Sequence, residues 1–395
     1  MFSPSKRALS MQESAIRKLD QSVAAQKDVR FVRLNIGQPD VATPRPVLDA
    51  IASYQPEVVG YGPASGTPAC REAVAAYCAR WSPGVGPMDV AITSGGSEAL
   101  LFAFTVIGDP GDDVLVPEPY YTNYNGFATV AGMAVRPIPT SIVDGFALPS
   151  DAALDLLVGP RTRAIVFSNP GNPTGAVYGR DELERVVAWA GRRGLFVIAD
   201  EVYRRIWFER PPTSAMELEE ARPWVMVVDS MSKTWSACGL RLGFLLCRNP
   251  EIMERVERLG QARLGPQPLA QHAAIAALSL PEAYYDEVRH IYRARVDAMA
   301  DALAQIPGVR APRPTGAFYL MAELPVDDAD AFARFLVTRF RHEGESLVVA
   351  PGTGFYANPE DGRRQVRLAA VLAEDRVRRG VELLGLGLDA WRASR

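Results

Sequence analysis

Short apolar runs, many of them β-branched, recur along the first two-thirds of the chain. VAIT (90–93), DVLVP (113–117), AIVFSN (164–169), LFVIAD (195–200), VMVVDS (225–230) and LGFLLC (242–247) are apolar at successive rather than alternate positions, which predicts strands buried on both faces. Between them the period changes. DELERVVAWAGRRG (181–194) has apolar residues at helical spacing, an acidic start and a glycine stop, and SEALLFAFTVIG (97–108) reads as another helix. Strand–helix alternation of this kind predicts an α/β fold: a mostly parallel sheet in a large three-layer α/β/α domain. After about residue 280 the texture shifts. A long helical stretch (281–306) leads into GAFYLMAEL (316–324) and VRLAAV (366–371), two isolated strands with helices around them. We therefore expect a large domain over 46–284, and a smaller α+β domain formed by 1–45 with 285–395.

Composition narrows the partners. The 395 residues carry a net charge of −3 and no run of basic residues, so nothing calls for nucleic acid. No stretch approaches the roughly 20 apolar residues of a membrane span. The first 21 residues are charged throughout and lack the apolar centre of a signal peptide. Four cysteines (Cys70, Cys78, Cys238, Cys247) form no CxxC pair and are too sparse for a disulfide framework, so a cytoplasmic location is expected. The three histidines, at 272, 290 and 342, are widely spaced, and no metal site is expected.

Lysine is scarce: of 43 basic residues only Lys6, Lys18, Lys27 and Lys233 are lysines. One reading is drift in a chain that favours arginine. The other is that arginine cannot serve at 233, because a guanidinium stays protonated, whereas a desolvated amine can act as a nucleophile and form a Schiff base. The count alone leaves both open.

Ligands of open α/β sheets bind beyond the carboxyl ends of strands, so the residues following each run matter. VAIT is followed by Ser94-Gly95-Gly96-Ser97-Glu98 at a helix start, either an anion site or a plain N-cap with a tight turn. AIVFS is followed by Asn169-Pro170-Gly171-Asn172-Pro173-Thr174-Gly175, LFVIA by Asp200-Glu201-Val202-Tyr203, and VMVVD by Ser230, Ser232 and Lys233. Each alone fits a turn or cap. Together they line one sheet edge with an amide, a carboxylate, a phenol, hydroxyls and an amine.

SGGSEAL, NPGNPTG, ADEVY and SMSK followed by GLRLG, in this order and spacing, resemble the class I/II aminotransferases, pyridoxal-phosphate enzymes of fold type I. The resemblance runs from LNIGQPD (34–40) to VRLAAV (366–371). It implies pyridoxal 5'-phosphate as cofactor, with Lys233 as its Schiff-base partner and the proton shuttle at the substrate Cα. Asp200 would keep the pyridine nitrogen protonated, so that the ring withdraws electrons. Asn172 and Tyr203 would bond the ring oxygen. Gly96, Ser97, Ser230, Ser232 and Arg241 would hold the phosphate. Tyr121 matches the aromatic that stacks on the ring, or is otherwise a core tyrosine. Arg367 and Gly37, with Asn172, match the groups that grip the substrate α-carboxylate. Tyr61 resembles a tyrosine that crosses a dimer interface to the neighbour's phosphate, implying a homodimer with shared sites. Arg263 falls near where some dicarboxylate-specific relatives place a second arginine; a surface helix arginine is the competing reading.

The implied activity is transfer of an amino group between an L-amino acid and a 2-oxo acid in two half-reactions. An alternative on the same scaffold is a lyase or cyclase resembling aminocyclopropane-carboxylate synthase, acting on an amino acid such as S-adenosylmethionine. Outside this class, a nicotinamide dehydrogenase would want GxGxxG after the first strand and a serine hydrolase GxSxG; the chain contains neither.

Overall fold

The computed structural model describes residues 2–12, 19–221 and 223–395; Lys18 lies outside them. Twelve strands occur among the described residues: β1 (Arg30–Arg33), β2 (Val90–Thr93), β3 (Asp113–Glu118), β4 (Ala134–Pro139), β5 (Thr162–Ser168), β6 (Phe196–Asp200), β7 (Val225–Ser230), β8 (Gly243–Cys247), β9 (Tyr319–Glu323), β10 (Glu345–Val348), β11 (Ala350–Pro351) and β12 (Gln365–Ala369). Seven form one sheet in the order β2-β8-β7-β6-β5-β3-β4. Only β8 runs against the others, so the carboxyl ends of β2 to β7 share one edge.

Alternation along these strands feeds two cores. Val114, Val116, Val166, Ile198, Met226 and Val228 point to one face, where they pack with the helix Gly96–Ile107. Leu115, Ile165, Phe167, Val197, Ala199 and Val227 point to the other, against the helix Arg180–Arg192. Each such fully buried aliphatic side chain contributes about 1.5–3 kcal/mol, so the near-continuous apolar runs are what a sheet covered on both faces requires.

The C-terminal strands are not isolated, as their sequence spacing predicts, but paired. β12 lies antiparallel between β11 and β9, with Arg367 opposite Met321 and Ala350, while β1 pairs parallel with β10. They surround a third core with Leu34, Phe318, Phe332, Leu347 and Leu384. The helix Glu282–Leu303 runs across position 284/285: Tyr285 packs in the main-sheet core, whereas Val288 and Tyr292 pack in the C-terminal one.

Candidate active site

At the shared carboxyl edge the chain encloses a cavity of about 620 Å³, roofed by the segment after β1 and by β9 and β12. Its walls include Gly37, Gly96, Ser97, Tyr121, Asn172, Asp200, Tyr203, Ser230, Ser232, Lys233, Arg241 and Arg367. Twelve positions singled out in the sequence thus meet in one space, drawn from segments more than 300 residues apart.

One end is built for an anion. The helix Gly96–Ile107 opens there, and its first residues present unsatisfied N–H groups with the positive end of the helix dipole. Gly95 has φ 78°, which favours glycine, and the Arg241 guanidinium lies close against it, 2.5 Å from where a Cβ would stand. The Ser230 hydroxyl accepts from the Ser232 N–H at 3.3 Å, drawing both serines to the same end. Arg241 has no ion pair among the described residues; its Nη1 donates to the Cys238 carbonyl.

The middle holds a buried carboxylate. β6 is apolar until Asp200, which its register sets opposite Ser168 and Val228. Burial raises its pKa from 3.8 to about 6, against the pull of the Tyr124 hydroxyl (2.9 Å to Oδ2), the Val202 N–H and the charge of Lys233. A cationic nitrogen in the cavity would favour the ionised form. Tyr121 faces the same space, and burial pushes its phenol up to about 12, so it offers a neutral aromatic face. Tyr203 is raised well above the usual phenol range, chiefly by burial and then by Tyr319, and remains a proton donor.

The third region carries the amine and a guanidinium. Lys233 Nζ donates to the Gly37 carbonyl at 2.8 Å. Arg367, 1% exposed, donates from Nη1 to Asn172 Oδ1 (3.2 Å) and from Nη2 to the Asn35 carbonyl (2.6 Å), and its Nε has no hydrogen-bond partner. It makes no ion pair with a carboxylate among the described residues. Its charge is flanked instead by the Tyr319 and Phe355 rings, 4.5 and 5.0 Å from their centroids. A buried guanidinium so incompletely partnered is matched to an incoming carboxylate.

Anion cradle, buried carboxylate, aromatic face, phenol donor and amine together fit a phosphorylated pyridine aldehyde, the cofactor implied by the motifs. Two predicted positions stand apart from the cavity. Tyr61, 87% exposed, sits on a surface segment beside the exposed Val58 and Val59. Arg263 ends the helix Pro250–Arg263 and is held within its own chain, by Glu98 at 2.7 Å and the Ala64 carbonyl at 2.9 Å. The two segments are in contact: a Cβ at Gly265 would lie 2.3 Å from the Gly62 carbonyl oxygen.

Sequence reasoning missed Tyr124 and Tyr319. The first lies three residues beyond Tyr121 on the helix Asn123–Ala131 and could have been sought by helical spacing. The second reads as an ordinary core tyrosine of a strand, and no local signal marks it.

Residues 29–384 match the family described as aminotransferase class I and II. An aspartate/prephenate aminotransferase of Thermus thermophilus is 32% identical over 363 residues, covering 90% of each chain. An LL-diaminopimelate aminotransferase of Desulforudis audaxviator is 34% identical, over 90% of this chain and 91% of the relative. Among solved structures, the aspartate aminotransferase of Thermus thermophilus with maleate superposes with a TM-score of 0.89 at 29% identity, covering 98% of this chain and 100% of that one. The alanine aminotransferase of Pyrococcus furiosus gives 0.89 at 30%, with the same coverage.

Proposed function

The chain belongs to the class I and II aminotransferase family and is a pyridoxal-phosphate-dependent aminotransferase of fold type I; from that premise we propose how its own residues divide the work. The observation that carries the proposal is the meeting of Lys233, Asp200 and Arg367 in one cavity. When bound, the cofactor supplies an electron-withdrawing ring that takes up the charge left at the substrate Cα.

Gly96, Ser97, Ser230, Ser232 and Arg241 would hold its phosphate, Asp200 its ring nitrogen, Tyr121 its face, and Asn172 with Tyr203 its ring oxygen. Arg367 binds the α-carboxylate of the amino acid as a two-pronged donor, with Asn172 and Gly37 beside it. That grip fixes the Cα–H bond with respect to the ring. Lys233 Nζ would be the group that takes the Cα proton and carries it, so no histidine is needed in the cavity. With water supplying the new carbonyl oxygen and the amino group retained by the cofactor, a 2-oxo acid would leave, and a second would enter on the same contacts and take up that amino group.

We read the working unit as a homodimer in which Tyr61 reaches the neighbour's phosphate site. Its exposure next to Val58, Val59 and the exposed Leu264 supports this, since such a cluster is expected to be covered. A cytoplasmic location is supported by four free thiols. No helix among the described residues is long and apolar enough to cross a membrane.

The test is to load the protein with pyridoxal phosphate, add a panel of amino acids, and follow the visible spectrum and 2-oxo acid release. Conversion to the pyridoxamine form, lost in Lys233→Ala, is expected. A lyase or cyclase would not complete that half-reaction, and an unimpaired Lys233→Ala variant would overturn the assignment.

A further inference from the structure

Tyr319, at the start of β9, has no part in the roles given above, yet its side chain joins both halves of the cavity. Its hydroxyl lies 3.0 Å from that of Tyr203 and 3.5 Å from the Gly37 carbonyl, which already accepts from Lys233 at 2.8 Å. Its ring stands edge-on to Tyr203, with centroids 5.5 Å apart, and its face carries the Arg367 guanidinium at 4.5 Å. The fit is close: a Cβ on Gly37 would come within 1.8 Å of the hydroxyl. The residue is 2% exposed although it borders the cavity.

The two phenols share one hydrogen bond, and its direction matters. Tyr319 has two acceptors in reach. The Gly37 oxygen is the more distant, at 3.5 against 3.0 Å, and with the Tyr203 proton turned to the cavity only Tyr319 can donate across the pair. Tyr203 then keeps its own proton free for the cavity. A phenol that accepts a hydrogen bond also donates more strongly.

Resting on the aminotransferase reading, we infer that Tyr319 is a positioning residue with two functions. Its hydroxyl turns and polarises the Tyr203 proton toward the cofactor's ring oxygen, and its ring face steadies Arg367 for the substrate carboxylate. Donation from Tyr203 stabilises negative charge on that oxygen, which lets the adjoining nitrogen lose its proton at lower pH. Weakening the donation therefore raises the midpoint of that titration.

Tyr319→Phe keeps the ring and removes only the hydroxyl. In the loaded enzyme the pH midpoint of the cofactor's visible band is expected to rise by roughly 0.5–1 unit, the equivalent of one neutral hydrogen bond, and by less than in Tyr203→Phe. The Kd of 2-methylalanine, which has the α-amino and α-carboxylate groups but no Cα proton to lose, should stay within about twofold of wild type in that variant. Tyr319→Leu also removes the ring face, and there the Kd should rise about five- to tenfold, the effect of one cation–π contact. A midpoint unmoved in Tyr319→Phe but shifted in Tyr203→Phe would overturn the relay. An unchanged Kd in a folded Tyr319→Leu would overturn the support of Arg367. Failure of the wild-type chain to take up pyridoxal phosphate would instead strike the underlying reading.

Discussion

Asp200 and Glu201 are adjacent at the end of β6, 4% and 2% exposed, and yet in opposite situations. Glu201 turns away from the cavity into a closed network. It accepts from the Ser214 hydroxyl and the Ala215 N–H, both at 2.9 Å, and from Arg204 at 3.4 Å. Arg204 completes its own set with Glu217, the Pro212 carbonyl and the Trp81 ring. Asp200 faces the cavity with one phenol and one long backbone contact. The same contrast separates Arg204, which has two carboxylates, from Arg367, which has none among the described residues. Burial alone therefore does not mark function. A buried charge whose partners are complete stabilises one conformation, and one left open awaits a ligand.

The largest effect should come from exchanging the two arginines for leucine. Arg204→Leu leaves the buried Glu201 without its counter-ion, Glu217 keeping Arg180, and should lower the unfolding free energy by about 3–5 kcal/mol. Arg367→Leu should leave the unfolding free energy of the cofactor-free chain unchanged or raised, while kcat/KM for the amino donor falls on the order of 10²–10³-fold. Equal destabilisation by both, in denaturant titrations, would erase the distinction.

Asp200→Asn tests the carboxylate half. The folded chain holds this proton more tightly than the unfolded chain, between the ordinary value of 3.8 and about 6. The cofactor-free wild type therefore loses stability as pH rises through that window, and the loss is complete above it. The variant should be more stable by up to about 2–3 kcal/mol at pH 7, with the gain vanishing below about pH 4. It should also hold the cofactor poorly. Thermal melts across pH with and without pyridoxal phosphate would reveal both.

A smaller effect is expected of Tyr124→Phe, which removes the direct donor to Asp200. The Kd for pyridoxal phosphate should rise about tenfold, as for one hydrogen bond to a charged group. Ser214→Ala, the matching change beside Glu201, should lower stability by about 1 kcal/mol and leave that Kd alone. Smallest of all is Arg263→Ala. With Arg263 already paired to Glu98, the preference for aspartate over alanine should not change, and a selective loss on aspartate would move Arg263 to the open class.

Much of this was legible along the chain. The five apolar runs from 113 to 247 are strands within a residue or two of their expected ends, because a strand buried on both faces must be apolar throughout. β4 escaped notice: AVRPIP has two prolines and an arginine and lies at the sheet edge, where one side needs no partner. β1 and β10 are four residues each, too short for a periodic signal. In the cavity, polar residues closing apolar strands gave themselves away. Tyr319 did not, because its partner Tyr203 is 116 positions distant and its burial resembles that of any core tyrosine.

From the linear order alone came the identity and sequence of the chemical groups: an amine after β7, a carboxylate ending β6, glycines opening a helix after β2. These are local matters, set by strand period and by what can follow a strand. Whether a given buried charge is closed or open came only with the fold. The partners that decide it stand 195 positions apart for Arg367 and Asn172, yet three for Arg204 and Glu201, and no local rule ranks one pairing above the other. Desolvation acts on a group through everything packed around it, and that surrounding exists only once distant segments have met.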